Sequence, residues 1–214
     1  MSEAQRGADF WEDFYAHGSR WSGNANELLV AEVDGMAPGH ALDLGCGEGG
    51  DAIWLAQQGW RVTAVDIAAS ALTAASRNAD AAGVGATITW DRHDLEETWP
   101  AGPFDLVVSC YLHSNLPLER ERILRAAATL VGPGGTLLIV SHAGSPSWAD
   151  GQGHGHDQGH GHAGRFPTAA EVADALVLGD DWVVERAADV TRSGTAPDGS
   201  PGTRRDSVVR ARRT

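Results

Sequence analysis

A chain of 214 residues has room for one hydrophobic core of ordinary size. Its formal charge of −13 argues against a nucleic-acid binder, which would show a basic face. No apolar run approaches the length of a membrane span, so neither nucleic acid nor membrane is an expected partner.

The opening residues Met1–Arg6 lack the apolar core of a signal peptide. Cys46 and Cys110 are too few for a disulfide framework, and a reduced, cytoplasmic protein is expected. Phe10, Trp11, Phe14 and Tyr15 recur at helical spacing and predict a helix over 8–16. A polar loop carrying Trp21 follows, then a second helix from Glu27 to Met36, stopped by Pro38-Gly39. Both precede the first strand, so they are expected to cover the sheet from outside.

From residue 40 the pattern alternates. Strands are predicted over 40–44, 60–65, 86–90, 104–110 and 135–141, and helices over 50–58, 70–82, 118–131 and 168–177. Gly59 and Gly83 read as C-terminal caps, Ser70 as an N-cap, and Thr168–Glu171 as a capping box. After residue 178, Trp182–Arg186 and Ser207–Ala211 are strand-like, and Ser193–Thr203 between them reads as a hairpin loop. The expected fold class is α/β: a doubly wound, mostly parallel seven-stranded sheet ending in an antiparallel hairpin. All basic residues are arginine, and five fall between Arg204 and Arg213. That tail reads as a solvated edge strand, with an anion site as the alternative.

Residues 151–162 are almost purely glycine and histidine, on the carboxyl side of the fifth strand. Two H-x-H pairs, His154 with His156 and His160 with His162, offer four imidazoles to zinc, nickel or copper. Ordering so glycine-rich a segment costs entropy, so a solvated flap is the expectation and no metal is assumed.

The chemistry centres on Leu42-Asp43-Leu44-Gly45-Cys46-Gly47-Glu48-Gly49-Gly50. A strand, a glycine loop and a helix start in this order let a ligand approach the backbone closely. Gly45, Gly47 and Gly50 satisfy the dinucleotide pattern G-x-G-x-x-G, with Asp66 at a ribose-acid distance. Asp43, Gly45, Gly47 and Gly49 equally satisfy D-x-G-x-G-x-G, whose leading acid suits a cationic ligand better than a pyrophosphate.

This stretch resembles the first motif of class I S-adenosylmethionine-dependent methyltransferases. Val62–Ile67, Asp91–Leu95, Phe104–Ser109 and Leu130–Gly135 resemble that family's later motifs in the same order. Phe10 to Tyr15 followed by Trp21-Ser22-Gly23 resembles the lid segment of the tellurite-resistance and thiopurine-type members. The resemblance implies a small-molecule methyltransferase with S-adenosylmethionine as cofactor and S-adenosylhomocysteine as product, with a soft S, Se or Te centre among its candidate acceptors. It implies that Asp43, Gly45, Cys46, Gly47 and Gly49 hold the methionine end. Asp66 and Ile67 would take the ribose; Asp94, in preference to Asp91, would take the adenine amine beside His93 and Leu95. Trp21 would be the lid residue and Cys110 a further wall, while Trp11 and Tyr15 read as core.

Tyr111, His113 and Ser114 follow the fourth strand, and Ser141 and His142 the fifth. His113 and His142 are the candidate catalytic residues, as base or as orienting groups. The expected layout is one domain: a lid segment over 1–39, a cofactor-binding core over 40–141, a His/Gly loop over 151–164, and a C-terminal helix and hairpin over 165–214. A catalytically silent binder of the same cofactor and an NAD-dependent oxidoreductase stand as alternatives.

Overall fold

Apolar residues alternate along the central strands and so divide between two cores. Ala41, Leu106, Val108, Leu138, Val140 and Val208 face one layer, while Leu42, Leu44, Val107, Leu137, Ile139 and Val209 face the other. The computed structural model describes residues 3–114, 116–149 and 166–214. The strands are β1 (His40–Leu44), β2 (Arg61–Asp66), β3 (Ile88–Arg92), β4 (Phe104–Cys110), β5 (Val131–His142), β6 (Trp182–Thr195) and β7 (Pro201–Arg213). They form one sheet in the order β3-β2-β1-β4-β5-β7-β6. Strands β1 to β5 pair in parallel, and β7 runs antiparallel to both β5 and β6.

Helices α1 (Glu3–Ala16), α2 (Glu27–Val33), α3 (Gly50–Gln57), α4 (Ala69–Ala81), α5 (Arg120–Thr129) and α6 (Ala169–Ala175) accompany the strands. The first core takes Leu29 and Val33 of α2, Leu55 of α3 and Leu72 of α4; the second takes Ile123 and Leu124 of α5 and Val172 of α6. Phe104, 1% exposed, sits in the second core. Phe104→Ala is therefore expected to destabilise the fold by about 3–5 kcal/mol, read as a lower urea midpoint at unchanged slope.

Three local expectations change. The arginine tail is not an edge strand: β7 lies between β5 and β6, and β6 holds the free edge. The hairpin loop shrinks to 196–200, because Ser193, Gly194 and Thr195 pair with Thr203, Gly202 and Pro201. Ser70 does not cap α4 with its side chain. The Glu12 carboxylate of α1 accepts from the Ser70 N–H instead (3.1 Å), so α1 is tied to the start of α4. The capping box of α6 forms as expected between Thr168 and Glu171. Among the described residues no helix is long and apolar enough to cross a membrane.

The four candidate metal ligands, His154, His156, His160 and His162, lie outside the described residues. Among the described residues no group of three or more His, Cys, Asp or Glu side chains is arranged to hold a metal ion.

Candidate functional site

The strand order reverses between β1 and β4, and the loops at their carboxyl ends open there, as ligand sites of open α/β sheets do. The cavity they line measures about 1390 Å³. The loop from β1 to α3 forms its floor. Gly45 and Cys46 both donate their N–H groups to the Val65 carbonyl (2.9 and 3.0 Å), which clamps the loop against β2. Gly47 has φ +51°, and a Cβ there would stand 3.0 Å from the Tyr15 hydroxyl. Only glycine combines that dihedral with so close a cover. The Gly47 N–H donates to Asp66 (2.9 Å), whose other oxygen accepts from Ala68 N–H (3.0 Å).

Glu48 gathers the turn after α1 over this floor. A single Glu48 carboxylate oxygen accepts from Arg20 N–H (3.0 Å), Trp21 N–H (2.9 Å) and the Ser19 hydroxyl (3.2 Å). Trp21, 44% exposed, reaches the cavity and donates its indole N–H to the Tyr15 hydroxyl (3.2 Å). Trp11 and Tyr15, read from sequence as core, line the cavity as well. Phe14 of the same stripe lines it too, and the Tyr15 hydroxyl is the polar tip that meets Trp21 over Gly47.

Beneath the loop lies a nest of acids. Asp43 is 2% exposed, and its Oδ2 finds no hydrogen-bond donor among the described residues. Burial, then the neighbouring Asp51 and Asp66, push its carboxyl well above the usual range. Burial also raises Asp51 and Asp66, despite backbone donors from Asn26 to the first and from Ala68 and Gly47 to the second. Cys46 and Cys110 line the cavity, and burial raises both thiols well above their usual value. The arrangement opposes three crowded carboxyls and suits a cation set among them.

Next along the sheet, Ile67, Asp94 and Leu95 line the cavity, whereas Asp91 does not. One Asp94 oxygen accepts from Glu96 N–H (3.0 Å), and His93 bonds Thr98 (3.0 Å).

At the far end, Tyr111 (φ +53°), His113 and His142 come together after β4 and β5. The two imidazoles stack at 5.4 Å between ring centres, and Tyr111 lies 4.5 Å from His142. His142 Nδ1 meets Asp206 of β7 (3.1 Å); the other Asp206 oxygen holds Arg192 Nε (2.5 Å), and Arg192 donates to the Tyr111 hydroxyl (2.9 Å). Ser114 lines the cavity; Ser141 is fully buried and bonded by Arg120. Burial pushes the Arg120 guanidinium down to about 10.

Glu48, Arg192 and Asp206 were missed by sequence reasoning, because their partners lie 27, 81 and 64 residues away. Asp206 alone left a trace: an acid at the head of the apolar run Val208-Val209.

A methyltransferase-domain family model matches residues 41–135. Ribosomal RNA small subunit methyltransferase C of Alcanivorax borkumensis is 30% identical over 162 residues, 70% of this chain and 47% of that protein. The 2-heptyl-1-hydroxyquinolin-4(1H)-one methyltransferase of Mycobacteroides abscessus is 30% identical over 131 residues, 58% of this chain and 56% of that one. The chain thus spans about half the length of these curated relatives. Among solved structures, TehB from Haemophilus influenzae superposes with a TM-score of 0.68 at 19% identity, covering 95% of this chain and 67% of that chain. Sequence match, sheet order and terminal hairpin agree: residues 41–135 are a methyltransferase domain, and the chain has the fold of the class I S-adenosylmethionine-dependent methyltransferases.

Proposed function

We propose that the chain transfers the methyl group of S-adenosylmethionine to a small-molecule acceptor. The observation that carries this reading is Asp43 Oδ2, a buried oxygen without a donor among the described residues, in a carboxylate that lines the cavity. Such an atom, beneath a loop whose glycines leave the backbone bare, fits an amino-acid ammonium. The cofactor supplies an electrophilic methyl group on a sulfonium; the residues of the chain bind, orient and exclude water. Asp43 with Gly45, Cys46, Gly47 and Gly49 takes the methionine end. Asp66 and Ile67 take the ribose, Asp94 and Leu95 the adenine, and Cys110 closes the wall by β4. Trp21 with Tyr15 forms the cover, and aromatic faces attract a sulfonium.

The cavity exceeds the usual size of a small-molecule pocket, which supports an acceptor held beside the cofactor. One relative's name gives an RNA substrate and the other's a hydroxyquinolinone; a charge of −13 repels nucleic-acid phosphate and favours the second kind. An O–H or N–H acceptor must lose a proton, for which His142 on Asp206 is the candidate group, with His113 orienting. A soft S, Se or Te acceptor needs positioning alone, and the resemblance to tellurite-type members favours it. A screen with labelled methyl donor across phenols, N-heterocycles, thiols and metalloid oxyanions tests the proposal. Turnover on any of them supports it; binding of S-adenosylhomocysteine with no turnover anywhere would leave a silent binder.

The acid nest adds a pH dependence with a defined sign. Asp43, Asp51 and Asp66 sit above the ordinary carboxylate value of 3.8 in the folded chain. Their contribution to stability is complete at low pH and is lost as pH rises through the raised values. A ligand ammonium favours the ionised carboxylates, so its affinity moves the opposite way. The thermal shift produced by saturating S-adenosylhomocysteine should therefore grow as pH rises through that window, and a shift independent of pH would remove the nest from the binding site.

A further inference from the structure

The cavity is polarised along the strand order. The β1, β2 and β3 side contributes Asp43, Glu48, Asp51, Asp66, Asp94 and Glu96 to its lining, whereas the β6–β7 hairpin contributes Arg192 and Arg204, with Glu27 of α2 facing Arg192. Arg20 is the basic residue on the acidic side. Its guanidinium is turned onto Phe14 at 4.7 Å and its Nε donates to the Phe14 carbonyl (2.6 Å). A cationic methyl donor belongs at the acidic end, so the hairpin end is left for a ligand of opposite sign.

The arginines of β7 sharpen this. Arg205 meets Asp189 (3.8 Å), Arg210 meets Glu32 (2.9 Å), Arg212 meets Glu185 (3.0 Å), and Arg213 meets Asp181 (2.9 Å). Arg192 is consumed by Asp206, Tyr111 and Glu27. Arg204 has no carboxylate within ion-pair distance among the described residues, and its guanidinium carbon lies 5.2 Å from the Trp148 ring centre. Both residues line the cavity.

Trp148 is set there by the backbone around it. Ser147 N–H donates to the Thr203 carbonyl and Thr203 N–H to the Ser147 hydroxyl (both 2.9 Å), which lays this segment along the outer part of β7. A Cβ on Gly202 would fall 2.5 Å from the indole, and one on its cross-strand partner Gly194 would fall 3.0 Å from it. The hairpin thus carries a bare patch into which the indole fits. An indole in the cavity wall with a forked cation over its ring recognises a flat ligand that carries a carboxylate.

We infer that the hairpin end of the cavity takes the methyl acceptor as a planar aromatic acid, its carboxylate on Arg204 and its ring against Trp148. This deepens the methyltransferase reading and rests on it. The reacting atom, oxygen, nitrogen or sulfur, is a second substituent of the ring directed towards the acidic end.

Calorimetric titrations of the full chain with benzoate, 4-hydroxybenzoate and 2-naphthoate, each against its neutral amide, test the assignment with and without S-adenosylhomocysteine. At least one acid should bind about tenfold or more tighter than its amide, as a charge-assisted pair requires. Arg204→Gln should remove that preference and leave the amide and S-adenosylhomocysteine affinities unchanged. Gly202→Val, which displaces the indole, should weaken acid and amide alike. Equal affinity for acid and amide, no binding by any acid, or an unaltered preference in Arg204→Gln would overturn the inference. Failure of S-adenosylhomocysteine to bind the unaltered chain counts instead against the methyltransferase reading, since the acid titrations are scored without it too.

Discussion

Asp66→Ala is expected to abolish measurable binding of S-adenosylhomocysteine and to lower stability by about 2–5 kcal/mol, the loss of two buried hydrogen bonds to one charged acceptor. Asp66 is 7% exposed, and its two oxygens take the N–H groups of Gly47 and Ala68. One carboxylate thus fixes both the glycine loop and the turn into α4. Alanine leaves both donors without their partner, and the loop loses its hold at the residue that Tyr15 and Trp21 cover. Asp66→Asn separates the roles: its amide oxygen serves one N–H while its NH₂ opposes the other. Stability should then fall by about half as much, while affinity still falls at least tenfold if, as proposed, a ribose hydroxyl loses a charged acceptor. Urea unfolding and calorimetry on the three proteins read both quantities. If the alanine variant kept its affinity, Asp66 would have no place in the cofactor site.

Much of this architecture was legible because it is local. Strands β1 and β4, the glycine caps and the capping box at Thr168 each need a few neighbouring residues and formed where the pattern put them, while β3 starts two residues later and β5 four residues earlier than expected. The D-x-G-x-G-x-G stretch was legible for the same reason: its dihedrals, φ +69°, +51° and +87° at Gly45, Gly47 and Gly49, are demands on single residues. What failed was long-range. Ser70 had the right chemistry for a cap, yet Glu12, 58 residues away, supplies the acceptor. The alternating arginines of the last strand carried the outward pattern of an edge, but their carboxylate partners on β6 and α2 let the strand lie inside the sheet. Pairing choice among antiparallel strands depends on such cross-strand contacts, which no local period encodes.

The same dependence governs the far end of the cavity, where Asp206 has the second large effect. It is fully buried. Burial alone would raise its carboxyl, but the hydrogen bonds from His142 and Arg192 outweigh it and hold the group below its ordinary value. Its contribution to stability is therefore present above the unfolded value of about 3.9 and is lost as pH falls through the lowered folded value. Asp206→Ala leaves the Arg192 guanidinium with Tyr111 and the exposed Glu27 as its only partners among the described residues and should cost about 2–4 kcal/mol at pH 7. The difference from the unaltered chain should shrink in urea titrations taken at progressively lower pH. Asp206→Asn keeps the shape and one acceptor but not the charge that would stabilise an imidazolium at His142. If the acceptor must lose a proton, this variant lowers kcat, with the KM for the methyl donor unchanged. If the acceptor is a soft anion, kcat stays within about twofold, because positioning alone is then required. A single substitution thus reads out which chemistry the hairpin end of the cavity serves.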